Sequence, residues 1–352
     1  RQSGETTKKG KISFNMNILL IGSGAREHAI ARALERSPKK KRINCLASSV
    51  NPGLIKLCSV IKIGNINDPK SVSLYAKERS IRLAIIGPEN PLANGVADAL
   101  WDEGVKVVGP KKELAQIETS KSFTRDLLVE YKIPGCPNYR TFSSMNGVVS
   151  FLNELGENYV VKYDGLAGGK GVRVAGDHLH SQDDALSYCQ KLISRGDEFV
   201  IEEKLFGQEF SLMSFCDGST LKHMPAVQDH KRAYEGDTGP NTGGMGTYSD
   251  TNHSLPFLND NDIAKARDIN TSTVRALKDK FGAGYKGVLY GGFIATAKGI
   301  KLIEYNARFG DPEAMNVLPL LESDFVEICN GVASGTLENV DVKFQHKATV
   351  CK

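Results

Sequence analysis

The chain has 352 residues, 40% hydrophobic and 24% charged, with a formal net charge of +4. That length exceeds one ordinary core and predicts two or three domains. No run approaches the ~20 apolar residues of a membrane helix. The basic runs Lys8, Lys9, Lys11 and Lys39–Arg42 read as solvated surface, not as a nucleic-acid face.

Seven cysteines are scattered, with no CxxC pair. This fits reduced thiols in a cytoplasmic protein and argues against a disulfide framework or a zinc site. Residues 1–15 are polar and carry no secretory signal; they read as a disordered extension ahead of Met16.

Short apolar strands alternate with amphipathic helices from there on. Strands are predicted at 17–21, 43–47, 82–86 and 106–108, and helices at 27–36, 71–79 and 93–103. That alternation predicts a doubly wound parallel sheet of the Rossmann-like kind over 16–117. A second unit, α+β in character, is expected over 118–315, with a small lid subdomain at about 134–197. It begins with a helix over 120–131, and Pro134 and Pro137 then break the chain. A glycine-rich hairpin is expected over 158–175, a helix over 183–194, and strands over 198–205, 209–215 and 221–225. Asp229–Ser249 carries five glycines and reads as a long loop. A helix over 263–280 and a hairpin over 288–307 follow. A helix over 316–328 and strand patterns at 340–344 and 348–351 are read as the start of a truncated C-terminal domain, 316–352.

Three segments carry chemistry. Gly22-Ser23-Gly24-Ala25-Arg26-Glu27 follows a strand and opens a helix, where backbone N–H groups suit a phosphate. A dinucleotide site wants Gly or Ala at Glu27 and an acid after the second strand, where Ser48 and Ser49 stand instead. A monophosphate with Arg26 as charge partner fits better than NAD. Lys162–Gly171 holds four glycines and two lysines between β runs, suited to covering a polyphosphate, yet it is no Walker loop. The strand end from Glu202 through Glu203 to Leu205 can offer backbone groups to an adenine edge, with Glu209 placed for ribose hydroxyls. Finally, Leu302–Arg308 alternates. Glu304, Asn306 and Arg308 are expected on one face, and Ile303, Tyr305 and Ala307 on the core face. An acid beside an amide oxygen suits Mg²⁺, and a guanidinium suits a carboxylate or phosphate.

These segments together resemble the phosphoribosylamine–glycine ligases, ATP-grasp enzymes of de novo purine synthesis. The resemblance runs from residue 16 to about 330. It rests on GSGAREHAI (22–30), NPG (51–53), GPENPL (87–92), KSFTRDL (121–127), KYDGLAGGKGV (162–172) and IEEKLFGQEFS (201–211). QDHKRAYEGDTGPNTGGMGTYS (228–249) and EYNARFGDPEAM (304–315) are the most specific. It implies that ATP, glycine and 5-phosphoribosylamine give glycinamide ribonucleotide, ADP and phosphate through glycyl phosphate.

It also implies residue roles. Lys121 and Lys162 would hold ATP phosphates under a lid of Gly165, Gly168, Gly169, Lys170 and Gly171. Glu202, Glu203 and Leu205 would hold adenine, and Glu209 the ribose. Glu304 and Asn306 would bind Mg²⁺ or Mn²⁺. Gly22, Gly24, Arg26, Glu27, Asn51, Pro88 and Glu89 would hold the phosphoribosyl part. Asp229, Lys231, Asn241, Gly243 and Gly244 would close the acceptor side with Arg308. Partners would be small molecules only, and the chain a cytoplasmic monomer or weak homodimer. Two departures stand out: no acid lies on the strand at 288–295, and family members are longer. A nicotinamide dehydrogenase, a non-catalytic nucleotide module and a sister purine ligase are the competing readings. Ser48 and Ser49 oppose the first, the intact Glu304, Asn306 and Arg308 the second, and the DHKR and RFGDPE motifs the third.

Overall fold

The computed structural model describes residues 16–168, 170–235 and 238–352, without the side chains of Arg232, Gly239, Pro240, Asn241 and Gly243. The expectations for residues 1–15 and for Gly169 therefore fall outside the described residues.

The first unit runs β1 (Met16–Ile21), α1 (Ala25–Arg36), β2 (Lys41–Ala47), α2 (Pro52–Leu57) and β3 (Val60–Ile63). It continues with α3 (Pro69–Glu78), β4 (Leu83–Ile86), α4 (Glu89–Ala93), α5 (Val96–Asp102) and β5 (Lys106–Val108). Its five strands are parallel in the order β3-β2-β1-β4-β5. The winding direction reverses between β1 and β4, and open α/β sheets bind ligands outside the strand ends at such a point. The Gly22 and Gly87 loops sit there. The helix expected over 93–103 is α5, which starts only at Val96 because Gly95 takes a left-handed φ of 82°, and the short α4 before it was not expected. Neither α2 nor β3 is legible in the sequence; α2 starts where the Asn51 side chain caps the Gly53 N–H.

The second unit opens with α6 (Gln116–Thr119) and α7 (Lys121–Glu130). The lid follows: β6 (Tyr139–Phe142), α8 (Val148–Leu155), β7 (Tyr159–Tyr163), β8 (Val172–Val174), α9 (Gln182–Ile193) and β9 (Phe199–Glu203). Its antiparallel sheet, β6-β9-β7-β8, has its own small core around Phe142, Phe151 and Phe199.

Beyond it come β10 (Gly207–Asp217), β11 (Leu221–His223), β12 (Gln228–Tyr234), β13 (Thr238–Ser249) and α10 (Asp260–Phe281). Then follow β14 (Lys286–Thr296), β15 (Gly299–Asn306), α11 (Ala314–Leu320), α12 (Phe325–Ser334) and β16 (Thr349–Cys351). The large sheet is β11-β10-β14-β15, and β12-β13-β16 forms another. The expected loop over 229–249 is thus a hairpin. Its ladder slips twice, between His230 and Arg232 and between Arg232 and Tyr234. Gly244 and Gly246 take positive φ there, so backbone pairing survives without an apolar alternation. The helix expected over 316–328 is also two, parted at Glu322–Asp324. The Asp324 side chain caps the N–H groups of Val326 and Glu327 to start α12. Residues 340–344 form no strand; only Phe344 bridges, to Leu321.

The side-chain period of two splits each strand between two cores. Leu19, Ile21 and Ile86 enter one core with Phe210, Phe293 and Leu302. Ile18, Leu20 and Ile85 enter the other with Phe215, Val288 and α12. Both cores run unbroken from the parallel sheet into the antiparallel one, so these two sheets are one packed body and only the lid is separate.

Asp217, at the end of β10, is a polar hinge in this packing. It is 4% exposed. One oxygen accepts from Ser219 and Thr220 N–H, and the other from Leu337 N–H at 2.8 Å, tying the segment after α12 to the sheet. Asp217→Ala leaves that buried N–H unanswered and should cost ~1–3 kcal/mol of stability. Urea titration of the variant should show a lower midpoint at unchanged slope; an unmoved midpoint would refute the tie.

Candidate active site

The site is organised by a bulge in β15. Gly292 pairs with Glu304, but Phe293 pairs with Leu302, so Ile303 is the extra residue. Leu302 and Tyr305 go into the core while Ile303 lines the cleft beside Glu304. This corrects the simple alternation, which put Ile303 on the core face. Bulges re-aim side chains in this way.

Two buried cations answer the Ile303 carbonyl: Arg125 Nη2 donates at 2.6 Å and Lys162 Nζ at 3.2 Å. Glu202 joins them. It accepts from Arg125 Nε at 2.7 Å and Nη2 at 3.0 Å, and pairs with Lys162 at 2.8 Å. Burial pushes the Glu202 carboxyl up, but the two cations outweigh it and hold the group at about 2. The Glu202 side chain is therefore an internal counter-ion and does not face a nucleotide. The Glu203 carboxylate caps the Asn138 N–H at 2.9 Å. Leu205 lies half-buried in the link between β9 and β10.

Lys121 and Lys162 both act on the carboxylate of Glu304. Lys121 Nζ donates to the Gly165 carbonyl at 2.9 Å. Burial lowers the Lys121 pKa, Glu304 opposes this, and Lys162 adds to it. Asp164 anchors the start of α7 through Ser120, Ser122 and the Lys121 N–H. The glycine-rich tip closes with Tyr163 N–H donating to Gly171 O and Lys170 N–H to Ala167 O. Gly168 has a φ of 55° and open space where a side chain would stand. Lys170 is exposed there.

A narrow cleft lies between β10, β12, β14 and β15. Glu304, Asp229, Lys231 and Glu209 line it. Glu209 pairs with Lys231 at 3.3 Å. Burial pushes Asp229 up, Glu313 adds to the push against Lys231, and its pKa rises to about 6. Its buried Oδ1 has no hydrogen-bond partner. Gly244, φ 125°, faces that oxygen, and a Cβ there would sit 3.1 Å from it. Asn241 pairs with Arg232 along the ladder, but its side chain, like that of Gly243, lies outside the described residues. Burial pushes Glu304 up, yet Lys231, Lys162, Lys121 and Arg308 outweigh it and lower its pKa.

Asn306 ends β15, and its Oδ1 accepts from Arg308 Nη2 at 3.4 Å. Arg308 lies past the strand, so the shared face with Glu304 ends before it. It turns to two carboxylates: Glu118 at 3.0 Å and Glu89 at 3.4 Å. Burial opposes the guanidinium's charge, but Glu118 and Glu89 raise its pKa. Glu118 also accepts the Ala307 N–H at 2.7 Å. The sequence gives no sign of it: a glutamate in a polar stretch has no periodicity to betray burial. Arg125 lay inside a quoted motif and was equally unassigned.

The loop after β1 differs from expectation in its charges. Arg26 is 6% exposed; its Nε meets Glu27 at 2.7 Å and its Nη1 donates to the Phe309 carbonyl at 3.3 Å. Its guanidinium is thus answered internally. Glu27 itself accepts the Gly24 N–H at 2.5 Å. Gly22 and Gly87 both close on the Glu27 side chain, where a Cβ at Gly87 would sit 2.0 Å from its carboxylate. Asn51 braces the loop, donating to the Ser23 and Gly24 carbonyls, and Pro88 packs against Gly22. Ser48 and Ser49 bond to Ser23, with no carboxylate in the dinucleotide position.

The description "Phosphoribosylglycinamide synthetase, N domain" matches residues 16–118, and that of its ATP-grasp (A) domain matches 119–314. The phosphoribosylamine–glycine ligase of Methanosarcina barkeri is 51% identical over 337 residues, 96% of this chain and 77% of that protein. The ligase of Methanocaldococcus jannaschii is 47% identical with the same coverage. The crystal structure of the Thermotoga maritima ligase superposes with a TM-score of 0.76 at 26% identity, over 95% of this chain and 79% of that one. An N5-carboxyaminoimidazole ribonucleotide synthetase bound to ADP shares the fold at 17% identity and a TM-score of 0.70, over 96% and 81% of the two chains. Matched by both family descriptions and by relatives of about half-identical sequence, the chain belongs to the phosphoribosylglycinamide synthetase family of ATP-grasp ligases.

Proposed function

We propose that the chain joins glycine to 5-phosphoribosylamine at the expense of ATP, through glycyl phosphate, with the cleft beside β15 as the reaction site. The observation that carries this reading is the meeting of Glu304, Asp229 and Lys231 in one cleft, with Lys121 and Lys162 near enough to lower the Glu304 pKa. In the first step a glycine carboxylate oxygen attacks the γ-phosphorus and ADP leaves. In the second the amine nitrogen attacks the acyl carbon and phosphate leaves. No covalent enzyme intermediate is needed, so positioning and charge neutralisation carry the catalysis.

Lys121 and Lys162 hold the phosphates, and the Gly165–Gly171 tip covers them. The link from Glu203 to Leu205 meets adenine. Glu209 meets the ribose, exchanging its contact with Lys231. Glu304 and Asn306 offer two hard oxygens for Mg²⁺ or Mn²⁺. Among the described residues no cluster of three or more His, Cys, Asp or Glu side chains suits a metal by itself. With three lysines acting on Glu304, a divalent cation fits best when it arrives with phosphate oxygens. Once bound, it supplies charge neutralisation at the transferring phosphoryl group. The phosphoribosyl part takes the crevice outside β1 and β4, where Glu89 and the Gly22–Glu27 loop lie. Asp229, its oxygen unpartnered, takes the proton that the amine loses.

A coupled assay for ADP release tests the activity: release requiring both glycine and phosphoribosylamine supports it, and release with another acid in place of glycine sinks it. Glu304→Gln keeps shape and removes charge, so kcat should fall on the order of 10²-fold, and the melting temperature at pH 7 should fall too, because the cations that lower the Glu304 pKa lose their counter-charge. An unchanged kcat at saturating Mg²⁺ would remove Glu304 from this role.

Asp229 makes a signed prediction. Its folded pKa of about 6 lies above the ordinary 3.8, so between these values the folded chain binds more protons than the unfolded one. Stability therefore falls as pH rises through that window. Asp229→Asn should flatten this slope and raise the melting temperature at pH 7, while turnover drops on the order of 10²-fold. Wild-type turnover should climb with pH through about 6. A variant that melts lower and still turns over normally would contradict both roles.

A further inference from the structure

Arg308 is held by two carboxylates that differ in kind. Glu118, on α6, is the fixed one. Its side chain is 6% exposed; one oxygen meets Arg308 Nη2 at 3.0 Å and the other accepts the Ala307 N–H at 2.7 Å. Glu89, at the mouth of the crevice outside β4, is the loose one. Its side chain is 26% exposed and stands 3.4 Å from Arg308 Nε. That Nε makes no hydrogen bond although it is buried. The Phe309 carbonyl then receives Arg308 Nη1 at 3.1 Å and Arg26 Nη1 at 3.3 Å. One peptide thus joins the arginine of the β15 side to the arginine of the β1 loop.

We propose that Glu118 is the positioning residue of the acceptor side: it fixes Arg308 by a second anchor on the Ala307 N–H and leaves Glu89 free to turn to the substrate amine. This rests on the proposed function, with Arg308 on the acceptor side and Glu89 beside the phosphoribosyl part. The chemistry requires a division of this kind. An arginine with a single exposed carboxylate partner would lose its orientation when that carboxylate turned to a ligand. A buried second carboxylate keeps the guanidinium charge answered throughout, and its backbone bond fixes the distance to the strand that carries Glu304 and Asn306. A buried ion pair is seldom needed for stability alone, since apolar replacements serve as well. The tie to Ala307 N–H gives the pair a geometric task instead.

The test is a double-mutant cycle in the full chain with Glu118→Gln, Arg308→Gln and both together. Glutamine keeps an acceptor for the Ala307 N–H but cannot neutralise Arg308. Each single variant should raise the KM for phosphoribosylamine, and the Kd for glycinamide ribonucleotide, by tenfold or more, while the KM for ATP stays within twofold. The double variant should be no worse than the poorer single one, because both act through one guanidinium. It should also recover melting temperature relative to Glu118→Gln, since no buried charge is left unpaired. Losses that multiply in the double variant would overturn the proposal. So would a Glu118→Gln that melts lower with every KM unchanged, which would make Glu118 merely structural. A wild-type chain without ligase turnover would instead sink the proposed function, and this proposal with it.

Discussion

Everything near the cleft depends on the carbonyl of Ile303 and the two cations that meet it. The bulge at that residue releases Glu304 from the ordinary alternation of β15 and aims it into the cleft. Arg125 from α7 and Lys162 from β7 hold the bulge, and Glu202 from β9 holds both. Four elements are thereby fixed to one point, each by a charge-assisted bond in a site closed to water. Removing one member of such a group leaves the others uncompensated. The arrangement also couples the lid to the large sheet, since Lys162 and Glu202 belong to the lid sheet and Ile303 does not.

A second dependence is the continuity of the hydrophobic packing. The parallel sheet and the antiparallel sheet share two cores, one on each face. The crevice outside β1 and β4 and the cleft beside β15 therefore keep a fixed relation, bridged by the Phe309 carbonyl between Arg26 and Arg308. The lid has a core of its own, and the buried charges around the Ile303 carbonyl tie it to this body.

The sequence was informative where periodicity or a motif spoke. The parallel sheet, the lid hairpin and β14–β15 follow from apolar spacing. Strand β3 was too short to stand out, and the β12–β13 hairpin was hidden because its ladder is backbone pairing with glycine-relieved slips. The site divides similarly. Glu304, Asp229 and Lys231 share a cleft, and their motifs named them. Charges that cancel inside the fold cannot be read from spacing: Glu202 and Arg26 each pair with a neighbour in the chain. Burial of a charged side chain leaves no trace in spacing. Arg125 and Glu118 were missed for the same reason.

The carboxylate of Glu27 has a consequence for which phosphate goes where. It sits in the glycine cradle of the β1 loop, takes the Gly24 N–H and answers Arg26. The loop thus carries a resident anion, and its helix start presents less bare positive potential than the glycine spacing suggests. A ligand held there under the proposed function would be selected by shape and by the loop's remaining donors instead of by attraction at a distance. Under the proposed function, two phosphate-bearing ligands would then take separate berths, sorted by where the chain's own acids already sit.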